Sequence, residues 1–131
     1  MEKTDLKIMI VDDSEMARTS TKDILEQEGY EVVATVGNAQ EALKLSFELN
    51  PNLFIIDVVM PQVSGLELAE SIVNNFMDAK VIMMSSLDIE TVCIDSISTG
   101  AQDFLVKPFK KEDLLKSVEK MMHDMIQEQA S

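Results

Sequence analysis

Five short apolar runs punctuate the chain: KIMIV (7–11), EVVATV (31–36), LFII (53–56), VIMM (81–84) and DFLV (103–106). Each has the length of a strand, and the segments between them carry helical spacing. That alternation builds βαβ units and a parallel sheet with helices on both faces. Four of the runs are apolar almost without interruption, as strands buried on both sides must be, whereas a strand with one wet face would alternate. The segments share no common pattern, so the regularity reflects one fold and not an internal repeat. With 131 residues the chain is of single-domain size. The expectation is one α/β domain over 1–131, its core between about 6 and 126, with fraying at the termini and above all in QEQAS.

Punctuation and apolar stripes set the helices. Ser14 is placed to cap a first helix that runs to about Glu28 and stops at Gly29, where the chain can turn left-handed. Asn38 starts a second, with Ala39, Ala42, Leu43, Ser46 and Leu49 along one side and Pro51 beyond its end. A third follows Pro61 and Gly65 and buries Leu66, Ala69, Ile72, Val73 and Phe76. A fourth spans roughly 88–98, turns Val92, Cys93 and Ile97 inward and ends at Gly100. The last carries Leu114, Val118, Met121, Met122 and Met125, the stripe of a helix packed on a sheet. Methionines at such spacing are expected as core filler, Cys93 as a small buried hydrophobe and His123 as a solvated or half-buried structural residue.

Charge narrows the function. Eleven basic against 24 acidic residues leave a net charge of −13, which argues against recruiting nucleic acid or anionic lipid. Proteins are the expected partners. No apolar run approaches the ~20 residues of a membrane-spanning helix, and MEKTDLK lacks a signal-peptide stretch, so the expected location is the cytoplasm. One cysteine cannot form an internal disulfide or, alone, a thiolate metal site.

The polar residues fall into a pattern on this scheme. Asp12 and Asp13 follow the first strand, Asp57 ends the third, Ser85 and Ser86 end the fourth, and Lys107 ends the fifth. In open α/β sheets ligands bind outside the carboxyl ends of the strands, so separate loops deliver three carboxylates, a hydroxyl and an ammonium to one place. Carboxylates a few ångström apart repel by roughly 4 kcal/mol per pair at an effective dielectric of about 20. Against a domain stability of about 5–15 kcal/mol, such a cluster persists only by binding a proton or a cation. Oxygen-only ligation suits a hard ion, Mg²⁺ ahead of Ca²⁺ or Mn²⁺, and Mg²⁺ keeps waters that a phosphate can replace. Phosphoryl transfer to a carboxylate is the natural chemistry, with the cation and Lys107 neutralising the transferring oxygens and Ser85 donating a hydrogen bond.

In these segments the chain resembles a response-regulator receiver domain of two-component signalling, of the CheY-like, single-domain kind. VDDSEMAR resembles the acidic-pair segment, IIDVVMPQVSG the phosphoacceptor segment, VIMMSS the hydroxyl-bearing strand end and STGAQDFLVKPF the aromatic and lysine segment. The resemblance implies a doubly wound, flavodoxin-like sheet of strand order 2-1-3-4-5 with five helices. It implies Asp57 as phosphoacceptor, Asp12 and Asp13 as the acidic pair around Mg²⁺, and the Val59 carbonyl as a further metal ligand. Ser85 becomes the switch hydroxyl, Lys107 the phosphoryl anchor, Phe104 the switch aromatic, and Lys107–Pro108 a cis peptide. On phosphorylation the surface around helix 4, strand 5 and helix 5 is remodelled for a target. Such a domain catalyses its own aspartyl phosphorylation and dephosphorylation, and takes the group from a histidine kinase or a histidine phosphotransfer protein. The Ser14 to Arg18 region is the expected docking side. Val59 and Leu87 stand at positions that in the family govern water access to the acyl phosphate, and two apolar groups there are expected to slow its loss. Phe104 stands where a Tyr is frequent, and leaves a chemotaxis regulator and a phosphorelay intermediate both open. A monomer is expected, with an activated dimer open.

Three rival functions are weaker. A flavodoxin-like electron carrier needs a glycine- and hydroxyl-rich phosphate loop where Asp12 and Asp13 stand, and aromatics that a chain with one Tyr and no Trp lacks. Aspartyl-nucleophile phosphatases space two aspartates by one residue, unlike the adjacent pair here. A receiver-like module that works without phosphate would not need every site residue to be present.

Overall fold

The computed structural model describes residues 1–86 and 90–130, with the side chains of 90–93 excepted. After a short 3₁₀ turn at Lys3–Asp5 the chain alternates β1 (Lys7–Val11), α1 (Glu15–Gln27), β2 (Glu31–Val36), α2 (Ala39–Leu49), β3 (Leu53–Asp57), α3 (Gly65–Asn75), β4 (Lys80–Ser85), α4 (Glu90–Ser98), β5 (Asp103–Val106) and α5 (Lys111–Ala130). All strand pairings are parallel and the order is β2-β1-β3-β4-β5. The fold is the one expected, a five-stranded doubly wound sheet with five helices.

The apolar runs owe their continuity to two cores. Ile8 and Ile10 of β1, Leu53 and Ile55 of β3, and Ile82 and Met84 of β4 point to the side of α1 and α5, where Leu25, Leu114, Val118 and Met121 meet them. Their neighbours Met9, Val11, Phe54, Ile56, Val81 and Met83 point to the other side, against Ala42 of α2 and Leu68 and Ile72 of α3. Fully burying each such aliphatic side chain contributes about 1.5–3 kcal/mol. At the edge strand β2 the register against β1 slips by one residue at Val33, between the pairs Ile8–Val32 and Met9–Ala34. The slip moves Ala34 and Val36 to the α2–α3 side while Val32 stays with the α1–α5 core.

Helix ends follow their caps. Ser14, Asn38 and Ser64 each accept a backbone N–H of the first turn, and Gly29 sits at φ 93° after α1. Met9, Met60, Met83, Met84, Met121 and Met125 are core residues, whereas His123 is exposed. Other expectations need correction. In α3 the buried positions are Gly65, Leu68, Ala69 and Ile72, while Leu66, Val73 and Phe76 are half-buried at the margin of that core, and Leu49 of α2 is exposed. In α4 Ile97 faces solvent, as does Ile94, whereas Ser96 is buried. Leu87 and the side chains of Val92 and Cys93 lie outside the described residues. Helix α5 continues to Ala130, through residues expected to fray, and Glu128 there pairs with the nearly buried Lys80 at the start of β4.

Candidate functional site

Because every strand runs the same way, their carboxyl ends share one edge of the sheet. The chain leaves β1 into Asp12 and Asp13, β3 ends on Asp57, β4 ends on Ser85, and Lys107 follows β5. Asp12, Asp57 and Ser85 are buried, whereas Asp13 is exposed and Lys107 intermediate. One carboxylate oxygen from each of Asp12, Asp13 and Asp57 falls within 4.8 Å of the others, the only such group among the described residues. The repulsion inferred from the sequence is therefore real, and a hard divalent cation fits the oxygen donors.

Lys107 answers part of that repulsion. Its ammonium forms a short hydrogen-bonded ion pair with Asp12 Oδ2 and a longer one, 3.2 Å, with Asp57 Oδ2. It is aimed there by its own backbone, whose N–H bonds Ser85 O at 2.8 Å and continues the β4–β5 pairing, and Lys107–Pro108 is cis as expected. Burial alone would lower the Lys107 pKa, but the hydrogen bond to Asp12 and the charges of Asp57 and Asp12 outweigh it and raise it. Asp57 shifts the other way relative to its charge. Burial pushes its pKa up and Asp12 adds to the rise, while the Val59 N–H at 3.1 Å and Lys107 pull against it without winning. The two results agree: Lys107 faces both carboxylates, and its charge does not offset the desolvation of Asp57.

Backbone contacts fix both acids. Asp12 N–H bonds Val36 O, its Oδ1 accepts Ser14 N–H at 2.9 Å, and its carbonyl accepts Arg18 Nη1 at 2.6 Å. Beyond Asp57, Val58 N–H bonds Met84 O and Gly65 N–H bonds Val58 O, each at 2.8 Å. Gly65 lies so near that a Cβ there would stand 1.9 Å from Asp57 O. Gly65 reads in the sequence only as a helix start and Arg18 only as part of a docking region. Both signals were present, a glycine eight residues after Asp57 and an arginine one helical turn past the Ser14 cap, but neither spacing identifies its contact.

Of the remaining expected residues, Val59 is half-exposed at 51% and Ser86 is exposed. Phe104 is half-buried: it packs at the margin of the α2–α3 core and also lines a groove of ≈470 Å³ with Val106, Phe109, Lys116 and Lys120. A second groove, ≈340 Å³, lies beside the acidic site between Ala17, Thr21 and Ile24 of α1 and the Lys107–Phe109 segment. No helix among the described residues is long and apolar enough to cross a membrane.

Known proteins resemble this arrangement. A family model described as the response regulator receiver domain matches residues 8–119. The chain is 40% identical over 115 residues to the chemotaxis protein CheY of Listeria monocytogenes, covering 88% of this chain and 97% of that protein. Among solved structures, it is similar to a CheY-like receiver domain protein of Methanospirillum hungatei JF-1, at 32% identity with 93% and 97% of the two chains covered and a TM-score of 0.87. It is also similar to a chain of the CheX–CheY–BeF3–Mg²⁺ complex of Borrelia burgdorferi, at 28% identity, 89% coverage of each chain and a TM-score of 0.84.

Proposed function

The chain belongs to the response regulator receiver domain family and is homologous to CheY chemotaxis regulators, and from that premise we propose how its phosphorylation-dependent switch is built. Asp57 is the phosphoacceptor. Its carboxylate oxygen attacks phosphorus of a phosphohistidine, the P–N bond breaks as the P–O bond forms, and the departing imidazole takes up a proton. The observation that carries this reading is the buried Asp57 carboxylate within 4.8 Å of two others and within reach of Lys107. A carboxylate made more basic by burial is a better nucleophile than a solvated one, and the larger charge that the acyl phosphate brings to the strand end is what Lys107 and a bound cation are there to neutralise.

Asp12, Asp13 and Asp57, with the Val59 carbonyl, are the residues that would hold Mg²⁺. When bound, the cation neutralises charge on the transferring phosphoryl oxygens. Lys107 is the anchor for the phosphoryl group and Ser85 its hydroxyl donor. Phe104, half-buried between core and groove, is suited to two positions, and a phosphoryl group held better in one of them biases the pair. The groove lined by Phe104, Val106, Lys116 and Lys120 is then the output surface, and the groove beside α1 and Lys107 the seat for a histidine kinase or phosphotransfer protein. Homology to CheY favours a cytoplasmic chemotaxis regulator over a phosphorelay intermediate.

Intact-protein mass after incubation with Mg²⁺ and acetyl phosphate tests the proposal. One added phosphoryl group is expected on the wild type, and none with Asp57→Ala or with a chelator. An adduct that survives Asp57→Ala would remove Asp57 from its role. Absence of any adduct, together with failure to bind beryllofluoride and Mg²⁺ as the Borrelia complex does, would favour a switch that works without phosphate.

A further inference from the structure

We propose that Arg18 is a positioning residue for the metal-binding carboxylate of Asp12, acting through the Asp12 backbone from a seat across Gly37; this rests on the receiver reading of the acidic site. Arg18 is half-buried on the first turns of α1, and its Nη1 donates to Asp12 O at 2.6 Å. Among the described residues its guanidinium forms no ion pair, although the chain has 24 acidic residues to offer. Its hydrogen bond goes instead to a neutral carbonyl at the point where the chain leaves β1.

The guanidinium reaches that carbonyl by crossing Gly37, the residue after β2. A Cβ on Gly37 would stand 3.0 Å from Nη1, 3.7 Å from Cζ and 4.0 Å from Asp12 O. With Val36 O holding the Asp12 N–H and Ser14 N–H holding Oδ1, Arg18 completes a frame of three hydrogen bonds around one residue. Mg²⁺ demands near-ideal octahedral geometry, so a carboxylate whose backbone can swing is a poorer ligand. Groups that orient metal ligands from behind typically contribute 10–100-fold to affinity.

The sign of the effect separates positioning from charge. A cation near a Mg²⁺ site repels the ion, so if Arg18 acted only through its charge, Arg18→Met would tighten Mg²⁺ binding. Positioning predicts the reverse. Calorimetric titration of the full chain with MgCl₂ should show binding about tenfold weaker in Arg18→Met. Gly37→Ala, which retains the arginine and its charge but crowds the guanidinium by a few tenths of an ångström, should also weaken binding, by less than Arg18→Met, and it carries the test even where Arg18→Met fails to fold. The double variant should be no weaker than Arg18→Met alone, because the two changes act on the same contact. Unchanged or tighter binding in Arg18→Met, or losses that add in the double variant, overturns the inference. If wild type binds Mg²⁺ and Asp12→Asn abolishes it, that failure belongs to Arg18 alone, whereas wild type that binds no Mg²⁺ overturns the site reading and this inference with it.

Discussion

Asp57 is 8% exposed and its carboxyl titrates above the ordinary 3.8, first because it is buried and then because Asp12 repels its charge. Between 3.8 and the raised value the folded chain binds more protons at Asp57 than the unfolded chain does. Stability therefore falls as pH rises through that window, and at neutral pH the ionised Asp57 is a net cost. Lys107, raised above 10.5, has the opposite role: its contribution is intact below 10.5 and lost as pH climbs through its folded value. Asp57→Asn retains an acceptor for the Val59 N–H and removes the charge. In chelator at pH 7 its thermal midpoint should exceed that of wild type, with the gain shrinking as pH falls toward 3.8. Melting curves across that range check it, and a lower midpoint at pH 7 would show that the Lys107 contact outweighs burial. The residue types of this site were legible in the sequence because strand ends of a parallel sheet converge. That the one ammonium of Lys107 pairs with both Asp12 and Asp57 was not, since it depends on how the loops are set in space.

Helix α3 begins where the site ends. Gly65 has ordinary helical company, yet any Cβ there would penetrate the Asp57 carbonyl at 1.9 Å, and the atom in the way is backbone that cannot rotate aside. Gly65→Ala should destabilise the fold by about 3 kcal/mol or more, in the range reserved for steric intrusion into fixed structure. Chemical denaturation measures this, and a cost under 1 kcal/mol would mean that α3 shifts freely from β3. Caps at Ser14 and Asn38 were legible because they are local chemistry, a side-chain oxygen and an orphan N–H three residues apart. In helix α4 the reading of Ile97 as inward was wrong. Its isoleucines, Ile94 and Ile97, are more than half exposed, because a short helix beside the edge strand β5 has little core to cover, and hydropathy does not say which apolar residues serve a partner. The slip at Val33 was equally hidden, since EVVATV reads the same with or without it.

Across the whole molecule a net charge of −13 repels itself. Raising ionic strength from about 0.01 to 0.15 M shortens the screening length from roughly 30 to 8 Å, so NaCl should raise the thermal midpoint. MgCl₂ at equal ionic strength should raise it further, by about 2.7 kcal/mol of added stability at a hundredfold excess over the dissociation constant. The excess over NaCl should vanish in Asp12→Asn, and its persistence there would place the bound cation elsewhere on the acidic surface. What the sequence determined by itself was the order of strands and helices, the two-sided burial of the sheet, and the gathering of Asp12, Asp13, Asp57, Ser85 and Lys107 at one edge. These follow from the period of apolar residues and from the rule that parallel strands end together. Tertiary structure decided which atoms meet: Lys107 on both Asp12 and Asp57, Arg18 on the Asp12 carbonyl across Gly37, Gly65 against Asp57, and Ser96 inward in place of Ile97. Periodicity is a property of neighbours along the chain, whereas these contacts depend on how twisted strands and packed helices set the distances between loops that the sequence keeps far apart.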